Sequence, residues 1–400
     1  MIHPKAIVLY SIFSTLGVAS ATAQGFGASQ AISTTQDFPA CVRSADVDGD
    51  GDLDVLCASS SDSTFSWYQN IGGGTFGPEL MIDGDASTIR WTCAADLDGD
   101  GDADVTAALE GSNSIVWYEN LGAGLFGPKQ VVSTSVSLPK ALDVSDLDGN
   151  GTVDIVSASE QDNRVAWYPN LGGGNFGAQV IIGDLGLGPV TVRCADLNGD
   201  GAVDVVSGNS LQNSVVWYQN AGGGAFLGPL TITSNASNVR SVDAADLDGD
   251  GDIDVLSASF ADDKISWYEN LGTGFSGLQN VLTNSADGAR SVHAADVDAD
   301  GDMDVLAASI FDDTFSWFEN NGGSFSAAQI LTQAADGPYM VTSGDLDGNG
   351  SADAITASRF DHTLAWQAST GFEDCNGNGL ADSFEISTGL ESDCNGNGTL

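Results

Sequence analysis

Basic residues are scarce in this sequence. Eleven Lys and Arg stand against 56 Asp and Glu in 400 residues, a formal net charge of -45. A field of that sign repels phosphate, which excludes recognition of DNA, RNA or an anionic membrane surface through a basic footprint. Histidine is scarcer still. Past the first 23 residues only His293 and His362 occur, and no Ser, His and Asp order falls near a Gly-x-Ser-x-Gly turn, so catalytic constellations are thin. Six cysteines (41, 57, 93, 194, 375 and 394) are too few to scaffold so long a chain. No stretch keeps a helical period, and the one apolar run, Ala6 to about Val18, is too short to span a bilayer. With Lys5 before it and Ala21-Thr22-Ala23 after it, that run reads as a secretory leader over residues 1–23. A secreted or cell-surface location, where calcium is abundant, is the expectation. Apolar residues nevertheless make up 42% of the chain, and Trp 8, Phe 17 and Tyr 7 supply a core, so the acidity does not mean disorder. The charge has to be managed, and metal cations manage it most directly.

Self-similarity organises the rest. The string Ala45 to Val55, rich in alternate Asp and Gly, recurs with its first Asp at 46, 96, 146, 196, 246, 296 and 345. Trp67, Trp117, Trp167, Trp217, Trp267, Trp317 and Trp366 keep step with it, as does a Phe in a Gly-rich stretch from Phe76 to Phe325. Each unit reads as four short strands, A to D, with the acidic loop between A and B; in the fifth, A is Arg240 to Ala245, B is Val255 to Ser259 and C is Ile265 to Glu269. Four-stranded repeats of about fifty residues are propeller blades. The segment Gly25 to Thr34 reads as a strand D without its own A, B and C, and the seventh unit lacks a D. The prediction is an all-β, seven-bladed propeller over residues 24–370 whose N-terminal strand closes the last blade; an open solenoid is the rival arrangement.

The loops carry ligand-type oxygens at alternate positions. The first has Asp46, Asp48, Asp50, Asp52 and Asp54 at positions 1, 3, 5, 7 and 9, and the second Asp96, Asp98, Asp100, Asp102 and Asp104. Then come Asp146, Asp148, Asn150, Thr152 and Asp154; Asp196, Asn198, Asp200, Ala202 and Asp204; and Asp246, Asp248, Asp250, Asp252 and Asp254. The sixth has Asp296, Asp298, Asp300, Asp302 and Asp304, and the seventh Asp345, Asp347, Asn349, Ser351 and Asp353. Position 7 varies freely, as a backbone carbonyl ligand permits, while positions 1 and 9 are always Asp and position 6 is always Gly. Four or five carboxylates in a nine-residue loop repel one another unless a cation sits among them, and calcium takes six to eight oxygens. Asp-Gly turns need no metal to form, which is the plainer reading. Position 12, where an EF-hand has a bidentate Glu, is Cys57, Ala107, Ser157, Ser207, Ser257, Ala307 or Thr356, so the expected affinity is modest, about 10⁻⁴ to 10⁻⁶ M.

The Asp-x-Asp-x-Asp-Gly-x-x-Asp loop between two strands, followed by a Phe-Gly stretch, resembles the FG-GAP or VCBS repeat of integrin-like propellers from about Gly25 to Ser369. The resemblance implies about seven calcium ions in the A–B loops of one face, and an extracellular adhesion or recognition role; some family members are fused to lyases or lipases. Past Thr370 a different loop, Asp374, Asn376, Asn378, Leu380, Asp382 and Glu385 at positions 1, 3, 5, 7, 9 and 12, resembles the calcium repeat of dockerin-like modules, and an incomplete copy starts at Asp393. One or two further calcium ions are expected in this tail, residues 371–400. Cys375 and Cys394 share position 2 of the two copies, which is compatible with a disulfide; Cys41 and Cys57 lie diagonally across paired strands, which disfavours one.

The few cations are not scattered. Arg90, Lys140, Arg240 and Arg290 sit six residues before their loops, and Arg43 and Arg193 three before, all on the innermost strand. At the channel mouth such a cluster would hold an acidic group, a uronate or a sulfate, with Trp91 beside it as a stacking surface. The competing reading is salt bridging to Asp162, Asp262, Asp263, Asp312 and Asp313 in the B–C turns and to Asp143 and Asp243 in the channel. His293 shares that channel position and reads as a hydrogen-bonded lining residue, and the Trp row as packing between blades. The function expected is a monomeric, non-enzymatic propeller that recognises an extracellular glycan or protein. A polysaccharide lyase or hydrolase, and a purely structural surface protein, are the alternatives.

Overall fold

The computed structural model describes residues 25–184 and 188–370; the leader, the dockerin-like loop and both tail cysteines lie outside them. Seven four-stranded antiparallel sheets form the chain, and no helix occurs among the described residues. Blade 5 is typical, with A at Val239–Ala245, B at Asp254–Ser259, C at Lys264–Tyr268 and D at Asn280–Thr283. Neighbouring A strands touch all the way round, and blade 1's A strand, Pro39–Ala45, meets blade 7's, Pro338–Gly344. The ring is closed, not a solenoid. The N-terminal strand Gln30–Ser33 pairs antiparallel with Thr363–Gln367 as the fourth strand of blade 7, and Phe26 bridges Ser369 beyond it.

Every B strand is buried along its whole length, as its run of apolar neighbours requires. Strand D is the outer edge. It is only four residues long in six blades, and a register shift interrupts its pairing with C, which blunts an otherwise exposed template for aggregation.

The tryptophan row is inter-blade packing. Each of these indoles lies against a glycine of the next blade's Gly-rich turn: a Cβ on Gly124 would stand 2.3 Å from Trp67, one on Gly174 2.4 Å from Trp117, and one on Gly74 2.2 Å from Trp366. Those glycines also have positive φ, +66° at Gly174, so they answer both a steric and a conformational demand. Gly174→Ala is expected to lower stability by about 2 to 4 kcal/mol through overpacking and left-handed strain. Urea denaturation measures it, and an unchanged midpoint would show that the indole can move aside at no cost.

Candidate functional site

Each acidic loop is wound by its own carboxylates. In blade 1, Asp46 accepts the N–H of Gly49 through Oδ1 (2.8 Å) and of Gly51 through Oδ2 (3.1 Å), and Asp50 Oδ1 accepts the N–H of Asp52 at 3.0 Å. Gly51 has a φ of 97°; in blade 6 the left-handed turn at position 4 falls on Ala299, φ 60°. These bonds aim the remaining lone pairs inward. Ligand oxygens lie within 4.8 Å of one another for Asp46, Asp48 and Asp50, for Asp246, Asp248 and Asp250, and for Asp296, Asp298 and Asp300. In blades 2 and 3 position 9 joins positions 1 and 3, as Asp96, Asp98 and Asp104 and as Asp146, Asp148 and Asp154.

Position 9 is the buried floor of the loop. Asp54 is fully buried; its Oδ2 accepts the N–H of Val47 at 2.9 Å and its Oδ1 that of Asn70 at 2.7 Å, and the same pair of bonds recurs in every blade through Asp353 with Leu346 and Ser369. Burial outweighs those bonds and pushes the carboxyl up, to about 6 in Asp54, Asp104, Asp154, Asp204 and Asp353 and to about 7 in Asp254 and Asp304. Position 7 points elsewhere: Asp302 Oδ2 accepts the N–H of Gly322 at 2.7 Å, and Thr152 donates to the Asn170 carbonyl at 2.7 Å.

The residues fit a hard divalent cation. All donors are oxygen, they converge, and in blade 6 Asp298 Oδ1 is buried without any hydrogen-bond partner while burial and the neighbouring Asp300 hold its carboxyl up at about 6.

One conserved-phase residue escaped the reading of the sequence. Asn70, Asn120, Asn170, Asn220, Asn270 and Asn320 are essentially fully buried beneath the loops, and each amide donates to a carbonyl in the preceding blade's loop, Asn120 to Val47 and Asn220 to Leu147, both at 2.7 Å. The signal was present as Trp-Tyr-x-Asn in phase with the loops, but its partner lies 73 residues away. Loop geometry is thereby tied to the contact between blades.

At the other end of the channel a cavity of about 290 Å³ opens, and Arg90, Trp91, Lys140, Arg240 and Arg290 line it as expected. Arg43 and Arg193 do not. Arg43 stacks on Trp91, 4.7 Å from its centroid, and Arg193 sits deeper, 2.9 Å from Asp243 and 4.0 Å from Asp143. Trp91 is half-buried, with its Nε1 buried and unpartnered. Arg359 and Tyr339 complete the lining; both were missed, because each is the seventh blade's departure from the residue types of the other blades.

The bridges also differ from expectation. Arg90 and Lys140 share Glu110, Lys140 at 3.0 Å, and Lys140 reaches Glu160 at 3.3 Å. The turn aspartates serve their own turns instead: Asp162 pairs with Arg164, Asp262 with Lys264, Asp312 accepts from Thr314, and Asp263 and Asp313 accept the N–H groups of Gly288 and Gly337. They sit too far around each turn to face the channel. Arg240 lies over Phe260 (5.4 Å), and Arg290 over Tyr339 (4.0 Å) while donating to its hydroxyl at 2.5 Å. Burial would raise the Tyr339 phenol, but Arg290, Arg90 and Arg359 outweigh it and bring it down to about 7.

Deeper in the channel a chain of bonds runs across blades 3 to 7. From Arg193 and Asp243 it continues to His293, whose Nδ1 lies 2.9 Å from Asp243 Oδ2 and whose Nε2 lies 3.0 Å from Ser343 Oγ. Burial opposes ionisation of Asp243, yet Arg193 and then His293 hold its carboxyl well below the usual range. His293 is thus a hydrogen-bonded lining residue. The Ser343 contact was invisible in the sequence, because three residues from three blades make it.

The model of the FG-GAP-like repeat matches residues 46–107, 96–157, 146–207, 196–257, 246–307 and 300–356. The chain belongs to this family. The FG-GAP-like match stops short of the dockerin-like loop at Asp374. No curated protein matches the sequence. Among solved structures, the FG-GAP-like ring resembles an Agrocybe aegerita lectin described as recognising non-reducing terminal N-acetylglucosamine, with 22% identity, TM-score 0.56 and coverage of 74% of this chain and 81% of that one. It also resembles virginiamycin B lyase from Staphylococcus aureus (12% identity, TM-score 0.57, 85% and 98% covered). A third likeness is to BBS1N in complex with ARL6DN (12%, TM-score 0.62, 88% and 98%). At these identities the likeness is one of fold.

Proposed function

We propose that the chain is a calcium-stabilised recognition module that works outside the cell, with one propeller face holding metal and the other presented to an extracellular glycan or protein. The observation that carries this reading is the division between the faces: convergent hard oxygens on one, and on the other a cavity lined by cations and aromatic rings. In each loop the side chains at positions 1, 3, 5 and 9 and the main chain at position 7 would hold the ion, whose part is to neutralise charge. The fold likeness to a lectin supports a glycan as the partner. A glycan array probed with the full chain in calcium and in chelator tests it. Calcium-dependent capture of a defined subset is expected; no capture there and none of a protein from the native envelope would leave a purely structural role.

A second reading, hydrolysis, draws on one specific arrangement, the Asp243, His293 and Ser343 sequence of contacts. Against it stands Arg193, which at 2.9 Å takes up the charge of Asp243 that would otherwise stabilise an imidazolium. Ser343 is therefore expected to stay unlabelled by a fluorophosphonate probe. Labelling that disappears in His293→Ala would favour the hydrolase.

A further inference from the structure

Among the described residues, Arg240, Arg290 and Arg359 have no carboxylate within ion-pair distance; they meet ring faces and one phenol. In a chain of net charge -45 this is not for want of acid. Glu110 and Glu160 neutralise Arg90 and Lys140 beside them and leave these three guanidinium groups converging on one cavity. Their proximity is unfavourable. Burial, and then the neighbouring guanidinium groups, push Arg240 and Arg359 below the usual arginine range, and Arg359 Nε is buried with no hydrogen-bond partner. Charges kept in such a place stabilise nothing within the chain and are aimed at what enters.

The cavity also specifies size and shape. About 290 Å³ is the lower end of small-molecule sites and suits one ring, not a chain. Phe260 and Trp91 line it, and Phe311 and Phe360 stand at its rim, 61% and 48% exposed. Apolar planes beside unpaired guanidinium groups match a sugar face that carries an oxyanion.

We propose that the channel mouth binds the acidic group of a sugar, a carboxylate or sulfate on a single ring, with Arg240, Arg290 and Arg359 holding the oxyanion and Trp91 and Phe260 flanking the ring. This rests on the recognition reading above and names its ligand class.

The test is calorimetric titration of the calcium-loaded full chain with glucuronate, glucose 6-sulfate, inorganic sulfate and glucose, at low and raised salt. Both acidic sugars should bind and weaken as salt rises, inorganic sulfate should bind more weakly, and glucose should not bind. Arg290→Met and Arg359→Met should each weaken acidic-sugar binding by at least about tenfold, with an unchanged or raised Tm because a repulsion has been removed. Acidic sugars binding no better than glucose, or no worse to the triple Met variant, would overturn the proposal, as would a lowered Tm in variants of a protein that binds neither sugar. Inorganic sulfate binding as tightly as the sugars would overturn the sugar assignment. Array capture that persists in the triple variant leaves the recognition reading standing and removes this site; glucuronate binding at the mouth without array capture does the reverse.

Discussion

Removing calcium with a chelator should lower the melting temperature of the full chain by tens of degrees. A site held at one hundred times its dissociation constant contributes about 2.7 kcal/mol. Each kcal/mol moves Tm by about 2 °C in a domain of this size class. Seven loops acting only partly independently still add up to a large shift, and the chain bears a net charge of -45 whose self-repulsion the ions relieve. The effect should reach beyond the loops, because the buried asparagines couple each loop to the next blade: Asn270 donates to the Leu197 carbonyl at 2.6 Å and Asn320 to that of Leu247 at 2.7 Å. Melting followed by circular dichroism with calcium and with chelator decides it. A change of one or two degrees would mean that the loops are turns and nothing more.

Within one loop, Asp254→Ala should be far more damaging than Asp252→Ala. Asp254 is fully buried and accepts the N–H of Leu247 at 3.0 Å and of Asn270 at 2.7 Å, so its loss orphans two buried donors and also removes a metal oxygen. About 2 to 5 kcal/mol is expected. Asp252 is only partly buried, and its side chain makes no such bond; its N–H donates to Asp250 at 3.0 Å, which alanine preserves. Its replacement should cost within about 0.5 kcal/mol and change calcium affinity only slightly. Chemical denaturation in saturating calcium, with a calcium titration alongside, measures both. Equal losses would refute the assignment of position 7 to the main chain.

The blades were legible because everything that makes one is local. Trp117 recurs at a constant distance from Asp104, and the A–B loop is nine residues whose left-handed glycines and alternate carboxylates can be read without a partner. Ring closure was legible for a related reason, since the surplus D strand at Gln30–Ser33 and the missing one in blade 7 are complementary gaps in one count. Position 9 was half legible: Asp254 could be read as a ligand, but its role as the loop's floor depends on Asn270, whose N–H reaches it only when strand C folds back.

The channel was decided by tertiary structure alone. A ring of seven blades brings the same repeat position of every unit to one circle, so residues fifty apart become neighbours, and which neighbour a charge finds depends on where each turn places its side chains. Periodicity therefore gathered Arg90, Lys140, Arg240 and Arg290 correctly, yet could not foresee that Glu110 would take two of the cations. Nor could it foresee that Arg359 would join Arg290 over Tyr339, or that His293 would meet Ser343 one register position away. The sequence determined by itself the number of blades, the loops and the face they share, because those rest on hydrogen bonds and side-chain spacing within one repeat. The charge balance at the channel mouth required the closed ring, because electrostatic partners are set by distance through space and each blade contributes a different residue at the same phase.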